Sequence, residues 1–449
     1  MPAFQKGLNI ARWFHASIQT YLLLTELCFF FGPWPWIFYD TTRMTIFLAG
    51  VHFAIFIGYQ LSRRHLTRLM NEGVSFTHKI SNETLVKWVV VTALLLALPT
   101  SLSRTGSLIP NIAGGIQDLG SAYNDNFSRI SSGNSFAFVE YIRIILSPLL
   151  IGLVAVVGFF WKSMSPVFKV VAFLAVLTQV ATYIAIGTNK GVADLVLFLP
   201  LFFSLARAVD NPRHGIVLNK FTLIGIGAVI VFLIFFGQTQ ELRSGNVGSN
   251  GVFNTGVNII QADRSAFLSQ RWDIIYQSIT RYLTQGYQPL LYAMDIDHPL
   301  TWGVGNSMFL TDNADKILGG TYFDRTNLPA IIEQRYGWSR FFLWHTAYVW
   351  FISDFGQIGT ILLLFICSYA ICITIVRLIV DPNVISIVLF QQLLTLFVYL
   401  PANNQVFQNG EGLVGTLGII AGTFIYNRKV YPTELHSWEG SKIVYTGAL

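Results

Sequence analysis

Long runs of apolar residues dominate the chain, and short polar segments separate them. A helix needs about 20 apolar residues to cross the hydrocarbon core of a bilayer. Most of the runs approach that length and lack a polar face, which favours helices surrounded by lipid and by one another. The pattern therefore predicts an all-α polytopic transmembrane bundle. We place its ten spans at residues 16–36, 43–61, 84–102, 139–161, 166–187, 191–209, 217–237, 355–380, 384–400 and 412–427.

One apolar stretch is too long to be a single span. Residues 341–380 are almost continuously apolar, but a stretch of this length is about twice what one bilayer crossing needs. His345, Asp354 and Gly356 interrupt its first half. We interpret 341–354 as an interfacial or re-entrant helix that leads into the eighth span. Irregular backbone at membrane depth requires protein or a water-filled cavity around it.

Two long polar segments fall on the side of the predicted bundle that we assign as outer. Residues 103–138 form a loop rich in Gly, Ser and Asn, and residues 238–342 form a larger loop rich in aromatic side chains. The chain thus divides into 1–237, 238–342 and 343–449. Within the larger loop, apolar residues at helical spacing predict an amphipathic helix near 262–284 that could lie on the membrane surface. Its apolar stripe is Leu268, Trp272, Ile275, Ile279 and Tyr282.

Composition and charge agree with a membrane protein. Apolar residues make up 53% of the chain and charged residues only 12%, about half the charged share of soluble domains. The net charge of +6 does not indicate nucleic acid, because the basic residues cluster beside the apolar runs. Their distribution places both ends of the chain in the cytoplasm. The three cysteines lie in apolar runs, which indicates neither a disulfide framework nor a metal site.

Ionisable residues inside predicted spans are the first candidates for function, since burying them in a membrane is costly. Glu140 and Arg143 are three residues apart and could simply pair on one helix face. Arg143 could also extend its guanidinium to the outer surface. Glu26 and His52 fit polar groups satisfied between helices. The candidates are Glu26, His52, Glu140, Arg143, Asp194 and Asp354.

Cations on the predicted outer face are the second group. A planar guanidinium can bind two phosphate oxygens at once, so a cluster of such groups favours a polyanionic substrate. Lipid headgroups or acidic neighbours are the alternative partners. His345 could accept a proton from an attacking hydroxyl, or could simply be an interfacial histidine beside Trp344. The outer cations are Lys190, Arg243, Arg264, Arg271, Arg281, Arg335 and Arg340.

Several short motifs, taken in order, resemble the O-antigen polymerases and ligases (the Wzy/WaaL type). His345-Thr346-Ala347-Tyr348 followed by Asp354-Phe355-Gly356-Gln357-Ile358-Gly359 is similar to the family's His-Asn-x-Tyr/Leu and Glu-x-Gly-x-x-Gly signature, with Thr346 and Asp354 in place of Asn and Glu. Gly303-Val304-Gly305 resembles the Gly-x-Gly that precedes this histidine, and Arg271 or Arg281 the arginine ahead of it. Gly187-Thr188-Asn189-Lys190-Gly191 resembles the family's Gly-Ser-Arg-Gly, and Arg104 with Gly115 fits an Arg-x10-Gly spacing.

The resemblance implies a polymerase of polyprenyl-diphosphate-linked oligosaccharide repeat units, in a bacterial inner membrane, that needs no metal or other cofactor and inverts the anomeric carbon. It implies that Arg271, Arg281, Lys190, Arg243 and Arg143 hold the diphosphate. His345 would accept the proton of the acceptor hydroxyl, with Asp354 orienting it if the helix breaks between them. The implied partners are the lipid-linked donor and acceptor, membrane lipid and a chain-length regulator protein.

Three alternatives remain open at the level of sequence. A ligase would transfer the glycan to a lipid A core by the same chemistry. A metal-dependent glycosyltransferase that uses a lipid monophosphate sugar would need an acidic pair after the first span, where only Asp40 occurs, or the Asp295-Ile296-Asp297 segment. A flippase or transporter would explain the spans without catalysis, but transporters often show paired halves and we find no internal symmetry.

Overall fold

Apart from two short two-stranded sheets, the described regular structure is helical. The computed structural model describes residues 2–117, 121–122, 125–126, 128, 136–210, 220–243, 252–255, 258–265 and 267–430. The helices are α1 Pro2–Phe31, α2 Thr42–Asn71, α3 Asn82–Leu95, α4 Ala97–Thr105, α5 Ile112–Gln117, α6 Ala137–Leu150, α7 Leu153–Phe160, α8 Pro166–Ala185, α9 Lys190–Asp210, α10 Lys220–Arg243, α11 Gln270–Thr284, α12 Tyr287–Ala293, α13 Met308–Leu318, α14 Tyr322–Thr326, α15 Leu328–Tyr336, α16 Ala347–Val380, α17 Val384–Tyr399 and α18 Gly410–Tyr426. The strands are β1 Ser75–His78, β2 Val252–Asn254, β3 Ile259–Gln261 and β4 Asn427–Val430.

Seven helical stretches in the described residues are long and apolar enough to cross a membrane. They agree with seven of the ten predicted spans. Two more predicted spans correspond to α17 and α18, which are apolar but have only 16 and 17 residues. The first predicted span corresponds to α1, which is 30 residues long but is not one of the seven. The seven stretches are Thr42–Asn71, Asn82–Thr105, Ala137–Ser163, Pro166–Ala185, Lys190–Asp210, Lys220–Gly237 and Ala347–Val380.

Polar residues at the helix starts define where several helices begin. The Asn383 carboxamide oxygen accepts the backbone N–H of Ser386 at 2.9 Å, and that of Asn409 accepts the N–H of Gly412 at 2.8 Å. Such caps satisfy backbone donors that have no partner within the helix. The predicted first span extended to residue 36, but α1 ends at Phe31 because the Gly32-Pro33 pair that follows does not continue a helix.

The long helix α16 is broken at Gly356, whose φ of 66° and ψ of −179° are not helical. Every residue from Ala347 to Asp354 is buried. The predicted interruption thus divides a short buried helix from the span that follows it. A glycine suits this break, because a side chain rarely adopts a positive φ.

Both ends of the described chain lie on one face of the bundle. Strands β1 and β4 are antiparallel, with Ser75 opposite Val430 and His78 opposite Asn427. Near the start of α1, the ring of Phe4 stacks on that of Phe76 in β1, with centroids 5.7 Å apart. The chain therefore returns to the face on which it begins.

The predicted amphipathic helix is shorter than expected and is oriented differently. It begins at Gln270 rather than near 262. Its buried side includes the polar residues Asp273, Gln277 and Thr280, while Trp272, expected on an apolar stripe, is half exposed. These polar side chains find hydrogen-bond partners inside the protein. The Asp273 carboxylate accepts the Ser265 backbone N–H at 3.2 Å and the Gln277 side-chain amide at 3.1 Å.

Glycine allows α2 and α16 to approach closely. A Cβ atom at Gly58 would lie 2.5 Å from the Phe365 carbonyl oxygen, which belongs to the helix backbone and cannot rotate away. The hydroxyl of Ser368 also donates to the Ile55 carbonyl oxygen at 2.7 Å across this contact. Small residues are the usual means by which membrane helices pack at short range.

We predict that Gly58→Ala destabilises the protein by about 1–3 kcal/mol, the usual cost of overpacking. Gly227→Ala is the matched control, because nothing lies within 4 Å of a Cβ there. This control should be neutral or stabilising by up to about 1 kcal/mol, since alanine favours helices. Thermal unfolding of both variants in detergent tests this, and equal unfolding temperatures would contradict the close contact.

Candidate functional site

His345 lies immediately before α16 and is almost completely buried, with 1% of its surface exposed. Its Nδ1 atom is 3.2 Å from the Leu343 carbonyl oxygen. Because a carbonyl oxygen can only accept, Nδ1 carries the proton. The Nε2 atom is buried and has no hydrogen-bond partner in the described part of the chain. His345 therefore presents an unused proton acceptor inside the protein.

Burial determines the charge of this imidazole. Loss of hydration lowers the pKa of His345 to about 3. The hydrogen bond to Leu343 opposes this effect, and the positive charge of Arg340 adds to it. The side chain is consequently neutral at pH 7, with its lone pair on Nε2.

The backbone around His345 is fixed by segments distant in sequence. The Thr346 N–H donates to the Gly286 carbonyl oxygen at 3.3 Å, and the Ala347 N–H donates to the Leu400 carbonyl oxygen at 2.9 Å. A Cβ atom at Gly286 would lie 2.7 Å from the Pro401 carbonyl oxygen. The loop after α11 and the loop after α17 together hold the start of α16.

Asp354 does not orient His345, contrary to our expectation. Its carboxylate is fully buried and accepts the backbone N–H of Gly305 at 2.8 Å and of Asn306 at 3.0 Å. It also accepts the hydroxyl of Thr301 at 2.5 Å and the side-chain amide of Asn306. The expected pairing needed a helix break between His345 and Asp354, but the break is at Gly356, beyond both residues.

The segment held by Asp354 contains the Gly-x-Gly motif. Gly303 has a φ of 95°, and the neighbouring Trp302 has a φ of 52°. A Cβ atom at Gly305 would lie 2.1 Å from the Thr301 hydroxyl oxygen and 2.7 Å from that of Ser353. This compact turn therefore requires glycine at both positions. The structure brings this motif and the histidine segment to the two ends of one short helix.

Arg143 belongs to a buried charge cluster rather than to an open anion site. Its guanidinium donates two bonds of 2.8 Å to the Glu411 carboxylate and one of 2.7 Å to the Thr100 hydroxyl. Arg104 bridges Glu411 at 2.6 Å and Glu140 at 3.0 Å. The expected Glu140–Arg143 pair does not form, because Glu411 at the start of α18 competes for Arg143. Glu411 could not be recognised from the sequence as the partner of Arg143, because the two residues lie 268 positions apart.

Lys190 is also neutralised. Its ammonium group lies 2.7 Å from a carboxylate oxygen of Asp194, one helical turn further along α9. Both side chains are mostly buried. A cation already paired in this way has little capacity left for a diphosphate. Arg340, on the predicted outer face, is likewise paired with Asp324 at 2.8 Å.

Arg281 differs from Arg143 and Lys190, the other two predicted diphosphate ligands whose side chains are described. No carboxylate of the described residues forms an ion pair with it. Its guanidinium carbon instead lies 5.2 Å from the centre of the Phe253 ring and 5.9 Å from that of Trp34. Loss of hydration lowers the pKa of Arg281, and nearby Tyr282 partly opposes this. Arg281 thus keeps its hydrogen-bonding capacity in an aromatic setting.

Two other predicted diphosphate ligands are only partly placed. Arg271 lies on α11 and Arg243 at the end of α10, but their side chains lie outside the described residues.

Arg104 and Gly115, paired by spacing in the sequence, both line one cavity of about 480 Å³ beside the first outer loop.

Aromatic side chains connect Arg281 with the histidine segment. The Phe253 ring under Arg281 contacts the Trp338 ring, with centroids 5.9 Å apart. The Trp338 indole N–H donates to the Trp344 carbonyl oxygen at 3.1 Å, next to His345. The ring of Tyr282, the residue after Arg281, lies 4.5 Å from that of Trp344. The Arg281 guanidinium and the His345 imidazole are therefore linked through the same set of packed aromatic side chains, but they do not contact each other.

The described residues offer no group of three or more His, Cys, Asp or Glu side chains able to hold a metal ion. Asp295, considered for a metal site, forms an exposed ion pair with Arg43 at 3.1 Å. His298 lies 3.1 Å from the Ile352 carbonyl oxygen through its Nε2 atom. These groups stabilise the loop locally.

We expect Asp354→Asn to loosen the 301–306 turn, because the new amide N–H₂ faces donors instead of accepting from them. Hydrogen bonds to a charged group each contribute about 1.5–3 kcal/mol, so amide exchange at Gly305 and Asn306 should accelerate about tenfold or more. Hydrogen exchange read by mass spectrometry measures this. The control Asp295→Asn, which removes an exposed pair, should leave the turn unchanged.

Stability should also depend on the protonation of His345. The pKa of the buried imidazole lies below the ordinary value of 6.5, so the unfolded chain binds a proton more readily than the folded protein. The contribution of His345 to stability is complete above pH 6.5 and is lost progressively as pH falls towards 3. Between pH 7.5 and 4.5, the unfolding temperature should fall more for the unsubstituted protein than for His345→Gln. Parallel curves would contradict this.

Comparison of the chain with protein-family models, with curated proteins and with solved structures gave no match.

Proposed function

We propose that the protein is a membrane glycosyltransferase that joins polyprenyl-diphosphate-linked oligosaccharide repeat units, without a metal and with inversion at the anomeric carbon. The observation that carries the proposal is the buried, neutral imidazole of His345, whose Nε2 atom has no partner in the described structure. A base needs this combination of an available lone pair and a fixed position. The order of the motifs from 187 to 360 supports the same assignment.

In the proposed reaction, His345 Nε2 takes the proton of an acceptor sugar hydroxyl. The hydroxyl oxygen forms a bond to the anomeric carbon of the donor, and the bond from that carbon to the diphosphate oxygen breaks. The polyprenyl diphosphate leaves with the electron pair. A bound diphosphate would also raise the proton affinity of the imidazole, because nearby negative charge favours the imidazolium. Binding of the diphosphate would therefore move the pKa of His345 upward from about 3, towards the range in which a general base works best.

Arg281 is the cation best suited to stabilise the leaving diphosphate. Its charge has no carboxylate partner in the described structure, and a partly desolvated guanidinium interacts strongly with phosphate oxygens. Arg143 and Lys190 are withdrawn from the proposed set, because Glu411 and Asp194 already neutralise them. Arg271 and Arg243 remain predicted ligands.

Asp354 has a positioning role in this proposal. It ties the 301–306 turn to the end of the helix that follows His345. The turn, the imidazole and the substrate could then keep one relative geometry during repeated transfers. Preorganisation of this kind contributes to catalysis by avoiding rearrangement at each turnover.

The proposed location is a bacterial inner membrane, with the site on the periplasmic face and both ends of the chain in the cytoplasm. The pairing of β1 with β4 supports a common side for both ends. A chain-length regulator is the proposed protein partner.

The decisive assay uses purified protein in lipid nanodiscs with a polyprenyl-diphosphate-linked repeat unit. We expect a ladder of glycans of increasing length. His345→Ala should reduce the rate of chain growth by about 10²–10⁴-fold, the usual contribution of a general base. Arg281→Ala should also slow growth strongly, and Arg281→Lys should recover little of it, because an ammonium group does not reproduce the planar fork.

Two matched variants control for indirect effects. His65→Ala removes a histidine beside Lys429 of β4, on the opposite face in the proposed orientation. Arg43→Ala removes an exposed arginine paired with Asp295. Both should retain the ladder. Normal chain growth in His345→Ala and Arg281→Ala would refute the site, and transport of substrate across vesicles without elongation would refute the enzyme.

A further inference from the structure

A second group of polar side chains lies between α1 and α2, away from the proposed catalytic residues. Gln19 and Glu26 lie on α1, and His52 lies on α2 within a stretch able to cross the membrane. Glu26 is nearly buried, and 24% of the His52 side chain is exposed. Such groups are costly in a membrane and commonly mark a function.

The hydrogen bonds in this group determine where protons must lie. The Gln19 side-chain nitrogen donates to the His52 carbonyl oxygen at 2.9 Å, which fixes the orientation of the amide. The Gln19 side-chain oxygen therefore faces His52 Nδ1, so this ring nitrogen must carry a proton. The other ring nitrogen, Nε2, lies 3.1 Å from both carboxylate oxygens of Glu26.

Between Nε2 and the carboxylate there is room for one shared proton. It can reside on the ring, giving an imidazolium and a carboxylate, or on the carboxyl group, giving a neutral pair. If the shared proton is removed while Nδ1 stays protonated, the lone pair of Nε2 faces the Glu26 carboxylate, and both groups are acceptors. Moving the remaining proton to Nε2 instead places Nδ1 against the Gln19 oxygen, again acceptor to acceptor. The hydrogen-bond geometry therefore fits only the state in which Nδ1 is protonated and a second proton is shared between His52 Nε2 and Glu26.

Tyr348, in the helix that follows His345, interacts electrostatically with this pair. The Tyr348 hydroxyl on α16 is completely buried and has no hydrogen-bond partner in the described residues. The Glu26 carboxylate is near enough to act electrostatically on this hydroxyl. Tyr287 on α12 also interacts electrostatically with Glu26, but its hydroxyl is already bonded to that of Thr25 at 2.9 Å. Buried polar groups without a partner commonly bind an ordered water.

We propose that Gln19, Glu26 and His52 form an intramembrane proton-binding site, and that Tyr348 responds to its charge. The proton moves between His52 Nε2 and a Glu26 carboxylate oxygen, with no other bond made or broken. The evidence for this proton site does not rest on the glycosyl transfer proposed above. Because Tyr348 is three residues from His345, protonation at Glu26 would influence the start of α16.

Spectroscopy at pH 7.5 in nanodiscs locates the proton. Nitrogen NMR with labelled histidine should show one ring with both nitrogens protonated, or infrared spectroscopy should show one protonated carboxyl group. The ring signal should disappear in His52→Gln and the carboxyl signal in Glu26→Gln, while His65→Gln should change neither. A neutral His52 ring beside an ionised Glu26 would overturn the proposal.

Hydrogen exchange tests the role of Tyr348 separately. Glu26→Gln should accelerate amide exchange in residues 345–350 at least several-fold. Glu83→Gln, which removes an exposed pair with Lys87 on α3, should leave that segment unchanged. Equal exchange in both variants would exclude Tyr348 from the site. Size-exclusion chromatography of each variant establishes that it is folded before either measurement.

Discussion

The Asp354 carboxylate accepts four hydrogen bonds from the segment that carries the Gly-x-Gly motif, and the geometry of the proposed site depends on them. A buried carboxylate is costly unless it is well bonded, so these donors and this acceptor require one another. The short helix between His345 and Gly356 thereby becomes a rigid spacer. Its first residues are held by Gly286 and Leu400, and its last residues by the 301–306 turn. The imidazole is thus positioned by the protein as a whole.

The same cost of unpaired charge explains which cations remain available for a ligand. In an environment poor in water, a charge tends to acquire an opposite charge close by. Arg143 has Glu411, Lys190 has Asp194, and Arg340 has Asp324. Arg281 instead lies over aromatic rings, which attract a cation but leave its N–H groups largely unused. A site for a polyanion can form only where this neutralisation is incomplete.

The sequence predicted much of the helical architecture because apolar length is a local property. The break near the start of α16 could also be anticipated, since polar residues and Gly356 interrupt an overlong apolar run. The partners of the charged residues could not be anticipated, because they are distant in the sequence. Arg143 meets a glutamate 268 positions away, and Asp354 bonds to residues about 50 positions earlier. Spacing along a helix suggested Glu140 as the partner of Arg143, and the family resemblance suggested His345 as the partner of Asp354. Tertiary packing gives both residues different partners.

The pairing of β1 with β4 restricts the number of times that the chain can cross the membrane between these strands. A chain that leaves a face and returns to it must cross the bilayer an even number of times. Between these strands the described helices include six of the seven long apolar stretches, together with α17 and α18. If each long stretch crosses once, the two shorter helices must cross together or not at all. The stacking of Phe4 on Phe76 applies the same rule to the first two helices: α1 must cross if α2 does, although its composition alone does not qualify it.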